Sequence, residues 1–183
     1  MLNRSKVINI TLLTIASVVF TFLIFSNYYE SVKVVTPKIQ EDPLCHKIYS
    51  FIENSNKRIP STMIQVITDE IILLVEPDEI PLVVSIIQVE SNFNPTLVSH
   101  RNARGLMQVR YSVWKELLRD DLGINDQFDL HEASIGIQAG LYVLHTYITK
   151  EKGDIYKALY RYSGKSKTYP DKILKSMDSF SIY

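Results

Sequence analysis

The chain has one cysteine, Cys45, among its 183 residues. One thiol excludes an internal disulfide. Because it belongs to no metal-ligand pattern, a packed or idle thiol is the expected role, with intermolecular pairing the alternative. Neither sign of charge dominates: 20 basic and 20 acidic residues give a formal net charge of +0, which argues against a nucleic-acid partner. His131-Glu132 is not followed by a second histidine at the spacing of a zinc helix, and His46, His100 and His145 are scattered, so no metal or organic cofactor is expected. Glycine is scarce, at six residues. Gly105 and Gly164 read as backbone-geometry positions rather than parts of a phosphate-cradling loop. Long alternating strands and internal repeats are also missing, so the expected class is all-α: six or seven short helices around one core.

The longest run without a charge is residues 7–25, 19 residues preceded by Arg4 and Lys6. That is about the length that spans a bilayer, and the flanking bases keep the N-terminus in the cytoplasm. The run is long for a signal peptide, and Ser26-Asn-Tyr-Tyr-Glu30 is a poor cleavage sequence. Residues 1–29 therefore read as an uncleaved anchor, with a cleaved signal the alternative. Residues 30–43, with Pro37 and Pro43, read as a stalk, and residues 44–183 as one domain.

Within that domain the periodicity predicts helices over 44–58 and 62–76, the second capped by Ser61 or Thr62 and lined by Ile64, Ile67, Ile71 and Leu74. A third, capped by Asp78, runs to Asn94-Pro95. A polar loop over 96–106 has room for a small β element. A helix through Trp114, Leu117 and Leu118 stops near Gly123, and a polar loop over 120–131 precedes a helix to about Lys150 that Asp129 or Ser134 begins. Asp154 caps the next, and Tyr169-Pro170 opens the last, with Ile173, Leu174 and Met177 inward.

The third helix carries the most informative residue. Val83, Ile86, Ile87 and Glu90 fall at i, i+3, i+4 and i+7, so a carboxyl group continues an apolar stripe. Burial disfavours its charged form, and a carboxylic acid that keeps its proton to high pH is what a general acid requires. Tyr162 stands in the same relation to Ile155, Ala158 and Leu159. Taken singly, Glu90 reads as a helix-end residue, and Met107 and Tyr162 as core.

Four segments change that balance: Glu90-Ser-Asn-Phe-Asn-Pro95; Ser99 followed by Ala103-Arg-Gly-Leu-Met-Gln-Val109; Ala133-Ser-Ile-Gly-Ile-Gln-Ala-Gly-Leu-Tyr142; and Ala158-Leu-Tyr-Arg-Tyr-Ser-Gly164. In this order, with Gly105 fifteen residues after Glu90, they resemble the soluble lytic transglycosylase domain over about residues 75–175. The resemblance implies a lysozyme-like (goose-type/transglycosylase) fold that cuts peptidoglycan. It carries the family's acid/base glutamate onto Glu90, its sugar-placing serine onto Ser99, its groove residues onto Met107 and Gln108, and its catalytic-site tyrosine onto Tyr162. Two positions depart from the family pattern: Ser134 and Ser163 stand where Asn is usual. Ser163 keeps a hydroxyl for a substrate contact, and Ser134 also reads as a helix cap.

The chemistry follows from the residues. Glycoside cleavage ordinarily needs two carboxyl groups, but a 2-acetamido sugar supplies its own nucleophile. Glu90 then serves as acid and afterwards as base, and a 1,6-anhydro ring closes in place of water addition. Two alternatives stay open: a hydrolytic muramidase using Asp120, Asp121, Asp126 or Asp129, and a non-catalytic peptidoglycan-binding scaffold. The anchor places the domain in the periplasm against peptidoglycan strands. The resemblance also implies a secretion-system or envelope-assembly protein as partner, as for small members of the family.

Overall fold

The computed structural model describes residues 42–182. The expected anchor at 7–25 and the stalk up to Glu41 lie outside these residues. Among the described residues no helix is long and apolar enough to cross a membrane.

The first helix, α1, spans Pro43–Ser55. Asp42 caps it by accepting from the Leu44 N–H at 2.8 Å, and proline fills the first turn, where its missing N–H costs nothing. Asp42 and Pro43, expected in the stalk, thus begin the folded unit. α1 buries Cys45, Ile48, Phe51 and Ile52. The Cys45 thiol is pushed up by burial, with Asp69 and Asp42 adding to the shift; it is the packed thiol expected. α2, Ser61–Leu74, turns Ile64, Ile67 and Ile71 inward. Its N-cap is Pro60, with extended backbone and no side-chain bond, so neither Ser61 nor Thr62 caps it.

α3, Ile80–Ser91, is the central helix. Ile80 and Leu82 to Ile87 are buried without a break, on all sides of the helix, the pattern of a helix enclosed by others. The expected Asp78 cap is absent: Glu79 holds the N-cap position, without a side-chain bond. At its C-terminus Asn92 (φ 48°) and Phe93 (φ 63°) are both left-handed. Two such residues in succession are unusual outside glycine. They are held by packing: Phe93 is fully buried, with its ring edge-on to Phe51 at 6.2 Å, and Asn56 Nδ2 donates to Asn92 O at 2.8 Å.

α4 spans Tyr111–Leu122 and ends at Gly123 (φ 69°). A 3-10 turn, Asp129–His131, leads to α5, Ala133–Lys150. α6, Ile155–Tyr162, is capped by Asp154, which accepts from Lys157 N at 2.9 Å. α7, Tyr169–Ser181, packs along α3 more extensively than any other pair of elements does. The face α7 buries is Tyr169, Ile173, Ser176 and Phe180, whereas Leu174, expected inward, is exposed. Pro170 beside Tyr169 is buried as well; Ile173, Ser176 and Phe180 lie four, seven and eleven residues after Tyr169, and Leu174 falls off that stripe. The small β element is present as two isolated antiparallel bridges, Val98 with Arg104 and Arg104 with Val109.

The main core joins α1, α2, α3, α5, α6 and α7. A second cluster, Val109, Leu118, Ile124, Leu130, Ala139 and Val143, lies under α4 and α5, and Tyr162 packs against both. Residues Glu41–Tyr183 form one compact unit.

Candidate active site

Glu90 sits in the last turn of α3, half-buried, on the wall of a pocket of about 250 Å³. Burial raises its carboxyl from the ordinary 4.5 to about 7, against a smaller lowering by a hydrogen bond from Tyr169. That hydroxyl donates to Glu90 Oε1 at 2.7 Å. Tyr169 lies 79 residues further along the chain, at the start of α7. From sequence it marked only a helix start. The available signal was a tyrosine ahead of a proline in the first helical turn, one turn before Ile173.

Ser91 was also missed. Its buried hydroxyl lies 2.8 Å from Leu106 O, with Ile87 O at 3.1 Å. It ties the end of α3 to the Gly-Leu-Met-Gln segment and so fixes that segment beside Glu90. The segment itself depends on Gly105, whose φ is +75°. A Cβ there would fall 1.9 Å from Leu130 O, so only glycine fits.

Gln108 is left-handed (φ 50°), half-buried and on the pocket wall. Its Nε2 donates to Leu97 O at 3.1 Å and Gly105 O at 3.0 Å, which fixes the amide and leaves Oε1 as an acceptor without a partner among the described residues. Ser99 also lines the pocket. Its hydroxyl accepts from Ala103 N at 3.0 Å, closing the turn that carries the bridge to Arg104.

Met107 is placed differently from the sequence expectation. Its side chain is fully buried and does not line the pocket. It packs where Gly140 leaves space: a Cβ on Gly140 would meet Met107 Sδ at 2.2 Å and Met107 Cβ at 2.5 Å. Close approach of α5 draws the thioether into the core, so the groove role at Met107 is corrected to packing. Its carbonyl accepts from Tyr162 OH at 2.7 Å.

Tyr162 lines the pocket, stacked on Tyr169 with ring centroids 6.4 Å apart and planes 20° apart, and edge-on to Tyr147 at 6.5 Å. Its proton goes to Met107 rather than toward the pocket. Burial, with the nearby Glu90 charge adding, holds both the Tyr162 and Tyr169 hydroxyls well above their ordinary range, so both remain donors. Ser163 lines the pocket too, but its hydroxyl donates to Tyr160 O at 2.9 Å and accepts from Ser166 N at 3.0 Å. Its first use is to close the turn after α6. Ser134 makes no cap: α5 starts at Ala133 with Glu132 before it and no side-chain bond.

Among the described residues, Glu90 is the one carboxyl group that lines the pocket. Asp120 pairs with Arg119 at 2.8 Å, Asp121 accepts from Tyr142, Asp126 from Phe128 N at 2.9 Å and Asp129 from Asp126 N at 3.1 Å. None of the four lines the pocket. Among the described residues no group of acids, histidines and cysteine is arranged to hold a metal.

Neither a curated protein nor a solved structure gives a significant match to this chain. A family model described as the transglycosylase SLT domain matches residues 76–177, more than half of the chain and the whole span from the approach to α3 to the body of α7. With an all-helical fold around a half-buried glutamate at the end of its central helix, the chain belongs to the transglycosylase SLT domain family, lytic transglycosylases of lysozyme-like fold.

Proposed function

We propose that the protein cleaves the β-1,4 bond between N-acetylmuramic acid and N-acetylglucosamine in peptidoglycan without adding water. The observation that carries this reading is the isolation of Glu90. Among the described residues it is the one carboxyl group lining the pocket, and its pKa of about 7 lets it start as an acid and continue as a base. Tyr169 holds Oε1, which leaves Oε2 to carry the proton.

Glu90 gives that proton to the glycosidic oxygen as its bond to C1 breaks. The acetamido carbonyl oxygen of the same sugar attacks C1, so no second carboxylate is needed. Glu90, now a carboxylate, takes the proton of the 6-hydroxyl. The freed oxygen attacks C1, the acetamido oxygen departs, and the 1,6-anhydro end forms. Gln108 Oε1 accepts from a sugar hydroxyl, and Ser99 and Ser163 contribute their remaining hydroxyl lone pairs to the groove. Burial keeps Glu90 protonated, and the Tyr169 hydroxyl, whose ring stacks on Tyr162, orients it with a smaller lowering. An anchor at residues 7–25 would keep this activity at the outer face of a cytoplasmic membrane, in the periplasm, beside an envelope assembly that needs a local opening in the wall.

Incubation with purified peptidoglycan, followed by mass spectrometry of the muropeptides, tests the proposal. Anhydro products from the wild type, absent with Glu90→Gln, support it. Equal products from both proteins, or none from either, contradict it.

A further inference from the structure

Three arginines, Arg101, Arg110 and Arg161, line the same pocket as Glu90, in a chain whose formal charge is +0 overall. Arg161 is neutralised: its Nε lies 2.7 Å from Glu151 Oε1. Arg101 and Arg110 have no acidic partner among the described residues, and both are exposed. Nor does either enter among the causes that set the Glu90 carboxyl. Their charge is therefore not matched within the site.

Both arginines issue from one rigid piece of backbone. Arg101 stands in the turn Ser99–Ala103, closed by Ser99 N to Ala103 O at 2.9 Å and by the Ser99 hydroxyl. Arg110 directly follows Val109, whose backbone exchanges two hydrogen bonds with Arg104 at 3.0 and 3.1 Å. An unmatched guanidinium on a fixed turn at the rim of a cleft suits a carboxylate, which it grips with two parallel N–H donors. Where a stem is attached, the lactyl carboxyl of the muramic acid is taken up in an amide, so the sugar chain itself presents no carboxylate to such groups. The peptide stems attached to its muramic acids carry free carboxylates at their ends and branch points.

We infer that Arg101 and Arg110 form a carboxylate-binding rim that selects glycan strands bearing charged peptide stems. The inference rests on the peptidoglycan reading above and adds to it the part of the substrate that the cleft reads outside the glycan backbone.

The test measures equilibrium binding of the full chain, carrying Glu90→Gln so that strands stay intact, to two forms of one strand. One bears stems with free carboxylates; the other has the same stems with those carboxylates converted to primary amides. Two solvent-exposed guanidinium–carboxylate pairs predict about fivefold tighter binding of the charged form, a preference that shrinks as salt rises. Adding Arg101→Gln and Arg110→Gln should weaken binding of the charged strand to the level of the amidated one and leave the amidated one unchanged. Equal binding of the two forms by the arginine-containing protein overturns the inference. So does a preference that survives the double substitution. Cleavage of both strands by the wild type is scored separately: binding preference without anhydro products would sink the reaction proposed above while leaving the rim in place.

Discussion

Replacing Glu90 by Gln should make the protein more stable at alkaline pH and leave it unchanged in acid. In the native state burial raises this carboxyl from 4.5 to about 7. Below pH 4.5 both native and unfolded chains hold the proton, and burial of the neutral acid carries no charge penalty. Between pH 4.5 and 7 the unfolded chain loses its proton before the native one does, so native stability falls across that window and stays low above it. At about 1.4 kcal/mol per pH unit the full effect is about 3 kcal/mol, and solvent reaching the half-buried group through the pocket reduces it to about 1–3 kcal/mol. Glutamine is nearly isosteric, cannot ionise, and keeps an oxygen for the Tyr169 hydroxyl, so it removes the penalty without a new cavity. Urea unfolding of the compact unit Glu41–Tyr183 at pH 4 and pH 8, wild type beside Glu90→Gln, reads the difference. The variant should match the wild type at pH 4 and exceed it at pH 8. Parallel pH profiles, or a variant less stable at pH 8, would refute the claim that burial governs this carboxyl.

Other outcomes follow from particular contacts. Cleavage should fall tenfold per pH unit above about 7, as Glu90 loses the proton it must donate; a rate still rising at pH 8 would contradict this. Tyr169→Phe removes the hydrogen bond that lowers the Glu90 carboxyl, so the alkaline limb of the rate profile should move to higher pH while kcat/KM drops about three- to tenfold. Gly140→Ala drives a methyl into Met107 and should cost about 1–3 kcal/mol, read as a lower urea midpoint with unchanged slope. Asparagine at Asp120, Asp121, Asp126 and Asp129, one at a time, should leave the cleavage rate at wild-type level, because none lines the pocket.

Glu90 was legible in the sequence because an acid on an apolar stripe is a local pattern, and a helix keeps such patterns intact. The helical class, the Asp154 cap and the stop at Gly123 were legible for the same reason. Tyr169 was not, because its bond to Glu90 spans 79 residues and depends on how α7 lies along α3. Met107 misled in the opposite direction: its segment borders the groove, yet the gap at Gly140 takes its side chain into the core. The caps expected at Ser61 or Thr62, Asp78 and Ser134 failed because Pro60, Glu79 and Glu132 occupy the N-cap positions, and tertiary packing starts these helices without a side-chain bond. Leu174 shows the same limit. Apolar spacing alone did not reveal that Ser176, which donates to Gln88 Oε1, belongs to the inward face instead.

The central claim is that one carboxyl group, with the substrate's own acetamido and 6-hydroxyl groups, completes the reaction. Digestion of peptidoglycan in water enriched in heavy oxygen, with mass analysis of the new muramic acid ends, tests it most directly. Anhydro ends that carry no label are the expected result. Labelled reducing ends would mean that water attacks the sugar, and that Glu90 does not act alone.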